Sequence, residues 1–417
     1  MAKLAISQGP APAVPRRFLR SAPVWGLVAG GLLAIDGDAA LVSRWSGSTL
    51  ALVHALTLGV LGNVMIGSLL QFLPVAAGVP VRGGHRAALA VHGLLNIGAL
   101  LLVAAFRWPM RLSPQWGGLL AATAFVVLAV LVLPGLRAAA GQRFLRRGIG
   151  GAIAAGVVAA TLGLLLALAL SGRATLPLAP LTDAHASWGL LGWVLGLLAA
   201  VARVVMPMFQ GTAVLPARAQ VAWLAGVLVL LLVALGLALR GIALPGLRIS
   251  GGLLVLAFGL AGLWLQGSAE ALRRTPLTAF WTAGFAVLVL AAGLLLTGGE
   301  MNGLRAGALG LGVGLTLLVT GMHLEIAAFL GWIDLQRRCG RGVHLPGVQL
   351  LLPARDKSGV LALHLLAALA LGSALRRPTL AAVAGCAVAL AHAATLAALF
   401  GIDWRARRFQ AGSGAGR

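Results

Sequence analysis

Histidine is the residue type in this sequence that is best suited to chemistry. The chain has eight histidines, and six of them lie in or at the edge of long apolar segments: His54, His92, His185, His323, His364 and His392. An ionisable side chain inside a bilayer is costly and usually marks a functional site. Imidazole is also an axial ligand of b-type haem and a good ligand for copper. The histidines therefore indicate cofactor binding or proton handling, with a structural hydrogen bond between helices as the alternative for each.

Two of these histidines begin similar segments. Each segment starts His-Ala, continues with Gly-x-x-Gly and reaches a proline; the positions are 54, 59, 62 and 74 in the first segment and 185, 189, 192 and 207 in the second. An ancient duplication, as in many transporters, and convergence of two glycine-rich helices explain the similarity equally well. If both segments enter the membrane from the same side, His54 and His185 lie at one depth and can meet.

A few other polar residues accompany the histidines. Asp183 stands two residues before His185, where we expect it to orient the imidazole as carboxylates beside metal ligands do. Arg203 lies inside the second segment, and it is expected to bind an anion, a haem propionate or Glu325; the alternative is a side chain that snorkels to the surface. Glu325 itself is expected to be neutral or paired.

The elements that position these residues are membrane helices. Hydrophobic residues make up 60% of the 417 residues and charged residues only 10%, whereas a globular domain has about 25% charged residues. Apolar runs of roughly 20 residues match the thickness of a bilayer, and hydrogen-bond satisfaction in lipid favours helices. Twelve spans are predicted, at 23–43, 48–77, 86–106, 116–135, 149–171, 185–209, 220–239, 249–267, 278–297, 305–332, 358–375 and 379–402.

The distribution of positive charge orients the predicted bundle. With a cytoplasmic N-terminus, 22 Lys and Arg residues fall in cytoplasmic segments and 9 in outer loops, and Arg203 stays inside a span. By the positive-inside rule we predict an all-α integral membrane protein of about twelve helices with both termini in the cytoplasm. The predicted parts are a basic tail (1–21), one transmembrane domain (22–403) and a C-terminal tail (404–417).

The same distribution bears on partners and location. The formal charge of +23 sits between spans, so topology explains it better than nucleic-acid binding does. We expect a multi-pass protein of the bacterial inner membrane that contacts lipid and no nucleic acid.

The segments 54–78 and 185–210 resemble divergent relatives of haem–copper oxidase subunit I. The stretch His54-Ala-Leu-Thr-Leu-Gly-Val-Leu-Gly also resembles the bacterial nitric-oxide-response membrane proteins of the NnrS type. The twelve-span layout is similar to that of the oxidase subunit. The resemblance implies a low-spin haem held by His54 in the second span and His323 in the tenth, and a copper ligand at His185 in the sixth.

The chain also departs from the oxidase pattern. The predicted seventh span, 220–239, has no histidine where that family has an adjacent pair, and the sequence has no tyrosine. These absences argue against a complete oxygen reductase. We expect at most one haem or one metal.

The leading hypothesis is an oxidase-like membrane protein that binds b-type haem or copper and acts in respiratory electron transfer or nitrogen-oxide handling. The predicted cofactor ligands are His54, His185, His323 and His392, with His54 and His185 as the metal ligands. Its expected partners are an electron-transfer protein or another membrane subunit. A proton-coupled secondary transporter, with proline-broken helices around a central site, and a scaffold subunit are the alternatives.

Overall fold

A computed structural model describes residues 8–339 and 343–412, and within these ranges it contains helices and no β-strand. The described chain has twelve helices that are long and apolar enough to cross a membrane. They are α1 (Ala13–Ala40), α2 (Gly47–Ala76), α3 (Gly84–Arg107), α4 (Pro114–Ala138), α5 (Arg143–Leu170), α6 (Leu178–Gln210), α7 (Ala217–Leu239), α8 (Gly246–Gly267), α9 (Pro276–Thr297), α10 (Glu300–Arg338), α11 (Ala354–Ala374) and α12 (Pro378–Gly412). A four-residue helix, Val348–Leu351, lies between α10 and α11. The expectation of an all-α, multi-pass membrane protein is confirmed.

Three of the twelve helices form the centre of the bundle. In their most apolar stretches, α2, α6 and α10 are 67%, 61% and 72% buried, and every other span is 56% buried or less. Consecutive helices pack against one another around them, and the first helix, α1, packs along the last, α12. Large apolar side chains such as Ile97 and Leu100 of α3 are exposed, as expected for a surface that contacts lipid.

The bundle has two ends, which are named here by the helices that begin or finish at each of them. The terminal end is the one at which α1 begins and α12 finishes, and the opposite end is the one at which α2, α6 and α10 begin. Short connections keep successive helices antiparallel. All three central helices therefore run in the same direction, from the opposite end to the terminal end.

The first and last helices are longer than the apolar pattern predicts. α1 begins at Ala13, ten residues before the predicted start, and α12 continues to Gly412. The extra turns are basic, and carboxylates on other helices compensate them: Arg16 contacts Asp334 at 3.2 Å, and Arg20 pairs with Asp403. Those partners are more than 300 residues away in sequence, so hydropathy alone places the helix start too late.

Each central helix also contains a segment of π-helix, in which the backbone hydrogen bonds span five residues instead of four. The segments are Ala55–Gly62 in α2, Trp188–Leu195 in α6 and Gly310–Leu315 in α10. Side chains just after two of them bind carbonyls of the widened turns: Asn63 Nδ2 donates to Gly59 O (2.8 Å), and Thr316 Oγ1 donates to Leu311 O (2.9 Å). π-helical turns are rare and frequently occur at functional sites.

The prolines of α2 and α6 stand near the ends of their helices. Pro74 is followed by two more helical residues and Pro207 by three. Each proline therefore lies within the last turn, so the backbone hydrogen bond that it removes is near the helix end, and neither helix is broken at its centre.

Candidate functional site

The structure brings His54 and His185 together. Each stands seven residues after the first residue of its helix, Gly47 in α2 and Leu178 in α6, so each lies about 10 Å along the helix axis. Their ring centroids are 6.3 Å apart, and the ring planes are nearly parallel, at 16°. The meeting at one depth that the sequence suggested is found, at the opposite end of the bundle.

Both imidazoles are held through the same nitrogen. His54 Nδ1 lies 2.8 Å from the carbonyl oxygen of Leu50 in its own helix, and His185 Nδ1 lies 2.8 Å from that of Ala159 in α5. A carbonyl oxygen can only accept a hydrogen bond, so Nδ1 is the donor in each ring. In the neutral rings, Nε2 then carries the lone pair. This is the arrangement of metal-binding histidines, whose second nitrogen usually donates to a carbonyl or carboxylate.

Aromatic and charged side chains surround this pair. The ring of Phe106, at the end of α3, lies 5.1 Å from that of His54. Both histidines are only partly buried. Asp183 does not orient His185, contrary to expectation, because its carboxylate forms an exposed ion pair with Arg44.

A second group of histidines lies deeper, among α10, α11 and α12. The rings of His364 and His392 meet edge to face with centroids 5.0 Å apart, and His323 is close enough to interact electrostatically with both. All three are at most 6% exposed. His323 is 23 residues into α10, about 35 Å along the axis, so it cannot share a depth with His54.

Hydrogen bonds fix part of this buried group. The ring of His323 bonds to the backbone carbonyl of Leu19, and its buried Nε2 has no hydrogen-bond partner. His364 Nε2 lies 3.1 Å from Thr395 Oγ1, which itself donates to Ala391 O. The threonine hydroxyl has a single proton, so His364 Nε2 must be the donor to it. These bonds link four helices, since one joins α10 to α1 and the other joins α11 to α12.

The predicted histidine set is thus divided between two places. His54 and His185 form one pair, whereas His323 and His392 belong to the deeper group with His364. In the described part of the chain, no set of three or more His, Cys, Asp or Glu residues has the mutual placement needed to hold a metal ion. The pair at the opposite end supplies two ligands. A third ligand would have to be a group other than a His, Cys, Asp or Glu side chain of the described chain.

Arg203 lies among polar groups at the terminal end of α6. Its guanidinium donates to Leu215 O (2.7 Å) and Gln220 Oε1 (3.2 Å) and lies over the ring of Phe144. Of the partners considered for Arg203, Glu325 is not the one found, since the guanidinium bonds to these two oxygens and Glu325 pairs with Lys357.

Glu325 has a different partner. Lys357 Nζ, on α11, lies 2.6 and 2.7 Å from its two carboxylate oxygens, and both side chains are largely buried. Glu325 was expected to be neutral or paired, and it is paired, in an ion pair with Lys357. Lys357 stands one residue before the predicted span 358–375, but α11 begins at Ala354 and carries the lysine into the bundle.

Two features of these sites escaped the sequence reasoning. Phe106 was not expected beside His54, because only the packing of α3 brings it there. The partners of His92 were also not expected: its ring bonds to Ser21 Oγ (2.9 Å) and touches Phe18. Helix-to-helix packing of this kind has no local sequence signal.

Neither a protein-family model nor a curated protein matches this chain.

Proposed function

We propose that the protein is an oxidase-subunit-I-like membrane protein in which His54 and His185 hold one redox-active group, copper or a b-type haem. The observation that carries the proposal is the paired geometry of the two rings, each with Nδ1 bonded to a carbonyl. The twelve-helix layout, with α2, α6 and α10 at its centre, supports it, because these are the helices whose histidines the resemblance singles out.

The distance between the rings suits two ligands of one ion. Metal–nitrogen bonds are about 2 Å long and each ring nitrogen lies about 1 Å from its ring centre, so two imidazoles on one ion have centroids at most about 6 Å apart. The observed separation is 6.3 Å. Imidazole is a good ligand for copper, and the half-buried position leaves room for an external third ligand. The donor set therefore fits copper.

Histidine also holds b-type haem, so His54 and His185 are the residues that would hold a haem here, with the ring of Phe106 as an apolar neighbour. Bound there, either group would supply one-electron chemistry near the opposite end of the bundle. The role we propose is electron transfer or nitrogen-oxide handling in the bacterial inner membrane, with a protein partner that exchanges the electron.

The transporter alternative requires a central site enclosed by the proline-containing helices. Two observations favour the cofactor role over it. The prolines lie at the helix ends rather than at the centre, and the histidines of α2 and α6 meet near the opposite end of the bundle.

The test is purification of the full-length protein in mild detergent, followed by elemental analysis for copper and an optical spectrum for haem. We expect close to one copper or one haem per chain in the wild type, and loss of it in His54→Ala and His185→Ala. His85→Ala is the matched control, because His85 is an exposed histidine at the terminal end. A protein with neither copper nor a Soret band would overturn the proposal, and so would a cofactor retained in both site variants.

A further inference from the structure

A basic cavity lies at the terminal end, far from the histidine pair. Its volume is about 200 Å³, and it opens between the first turns of α1 and the last turns of α10 and α12. The charged residues that line it are Arg16, Arg20, Asp334, Arg338, Asp403 and Arg407. Four arginines against two aspartates leave a formal charge of +2 in the lining.

The two aspartates hold most of the arginines in place. Arg16 lies 3.2 Å from Asp334 and 3.9 Å from Asp403, Arg338 lies 2.8 Å from Asp334, and Arg20 pairs with Asp403. A guanidinium has five N–H donors, and these contacts use only some of them. The remaining donors form a preorganised, positively charged lining.

The cavity lies at the level expected for lipid headgroups. Trp404, next to Asp403 on α12, is 53% exposed, and the guanidinium of Arg408 lies over its ring. Exposed tryptophans collect at the boundary between hydrocarbon and water. We infer that this part of α12 lies at that boundary, where lipid headgroups are found.

We propose that this cavity binds a phosphate group. Guanidinium groups recognise phosphate oxygens through paired, charge-assisted hydrogen bonds, and the excess charge of +2 matches a phosphate anion. Basic pockets between membrane helices bind the headgroups of anionic lipids, and free phosphate presents the same chemistry. A phosphate bound here ties α1 to α10 and α12 at the end of the bundle where the chain begins and finishes.

Binding is measured on the full-length protein in detergent, by thermophoresis at constant ionic strength. The probes are short-chain phosphatidylglycerol, inorganic phosphate, and short-chain phosphatidylcholine and chloride as references. We expect saturable binding of phosphatidylglycerol, of inorganic phosphate or of both, tighter than that of the references. Binding of the lipid alone identifies a headgroup site, and equal binding of inorganic phosphate identifies a site for the free anion.

Two exposed arginines of the cavity can be substituted with little effect on the stability of the fold. Arg338→Gln and Arg407→Gln remove lining charges whose side chains are largely accessible, and each is expected to weaken binding about tenfold, as loss of a charged hydrogen bond does. Arg218→Gln, an exposed arginine at the start of α7, is the control and should bind like the wild type. Failure of both phosphate probes to bind better than the references, or wild-type binding by both variants, would refute the site.

Discussion

Gly163 of α5 lies directly against the ring of His185. A methyl group added at position 163 would lie 2.9 Å from His185 Cε1 and 3.3 Å from Nδ1. Carbon atoms at that distance repel, so the imidazole has to move. The glycine is therefore part of the histidine site, although it carries no functional group.

The first prediction follows from this contact. Gly163→Ala should displace His185 and lower the affinity for copper or haem about tenfold, since a shift that strains a ligand costs about 1 kcal/mol or more. Gly151→Ala is the matched control, because it lies on the same helix and its added methyl group meets nothing within 4 Å. Cofactor content after titration with a competing chelator measures the difference. Equal content in the two variants would mean that the ring of His185 is not a ligand.

The second prediction concerns packing of α1 against the deeper histidine group. A methyl group at Gly26 would lie 2.0 Å from Cγ of His392, which leaves no room for both. Gly26→Ala should destabilise the protein by about 1–3 kcal/mol, the usual effect of overpacking a core. Gly31→Ala, on the same helix with open space around its added methyl group, should be nearly neutral. Thermal unfolding in detergent, followed by tryptophan fluorescence, compares them.

The third prediction concerns the ion pair of Glu325 and Lys357. Lys357→Met leaves a buried carboxylate without its partner and should destabilise the protein by about 3 kcal/mol. The double variant Lys357→Met/Glu325→Gln removes both charges and should recover most of that loss. The same unfolding assay tests both proteins. A double variant as unstable as the single one would show that the packing of the lysine chain matters more than the charge.

The fourth prediction is the orientation of the bundle. The excess of Lys and Arg in the segments assigned to the cytoplasm, 22 against 9, places both termini there by the positive-inside rule. Green fluorescent protein fused after residue 417 should therefore fluoresce, and alkaline phosphatase fused within 108–113 should be active. A dark C-terminal fusion combined with an inactive phosphatase fusion would reverse the assignment.

The parts of the structure that follow from the sequence are those governed by local rules. Hydropathy gave the twelve spans, because each helix satisfies its own backbone in lipid. His54 and His185 each stand within the first turn or two of a span that enters from the same side, and this predicted that they share a depth. Geometry of this kind needs only the rise per residue of a helix.

The parts that did not follow depend on contacts between distant segments. Asp183 pairs with Arg44 and not with His185, and Arg203 bonds to Gln220 and not to Glu325. Choosing among polar partners requires the rotation of each helix about its axis, and the π-helical segments change that rotation. Asn63, which binds a carbonyl of one such segment, is visible in the sequence only as one more polar residue.

The π-helical segments set which way the histidines point. One additional residue within a helix turns everything beyond it by about 100° relative to an uninterrupted α-helix. In α2 the segment starts immediately after His54, and in α6 it starts three residues after His185. The turns that carry the two histidines can thus face each other. The turns that follow contact other helices: Gly59 of α2 contacts Trp25 of α1, and Gly192 of α6 contacts Ala155 of α5. Removing a single residue from either segment would rotate one imidazole away from the other and leave the hydropathy of the span almost unchanged.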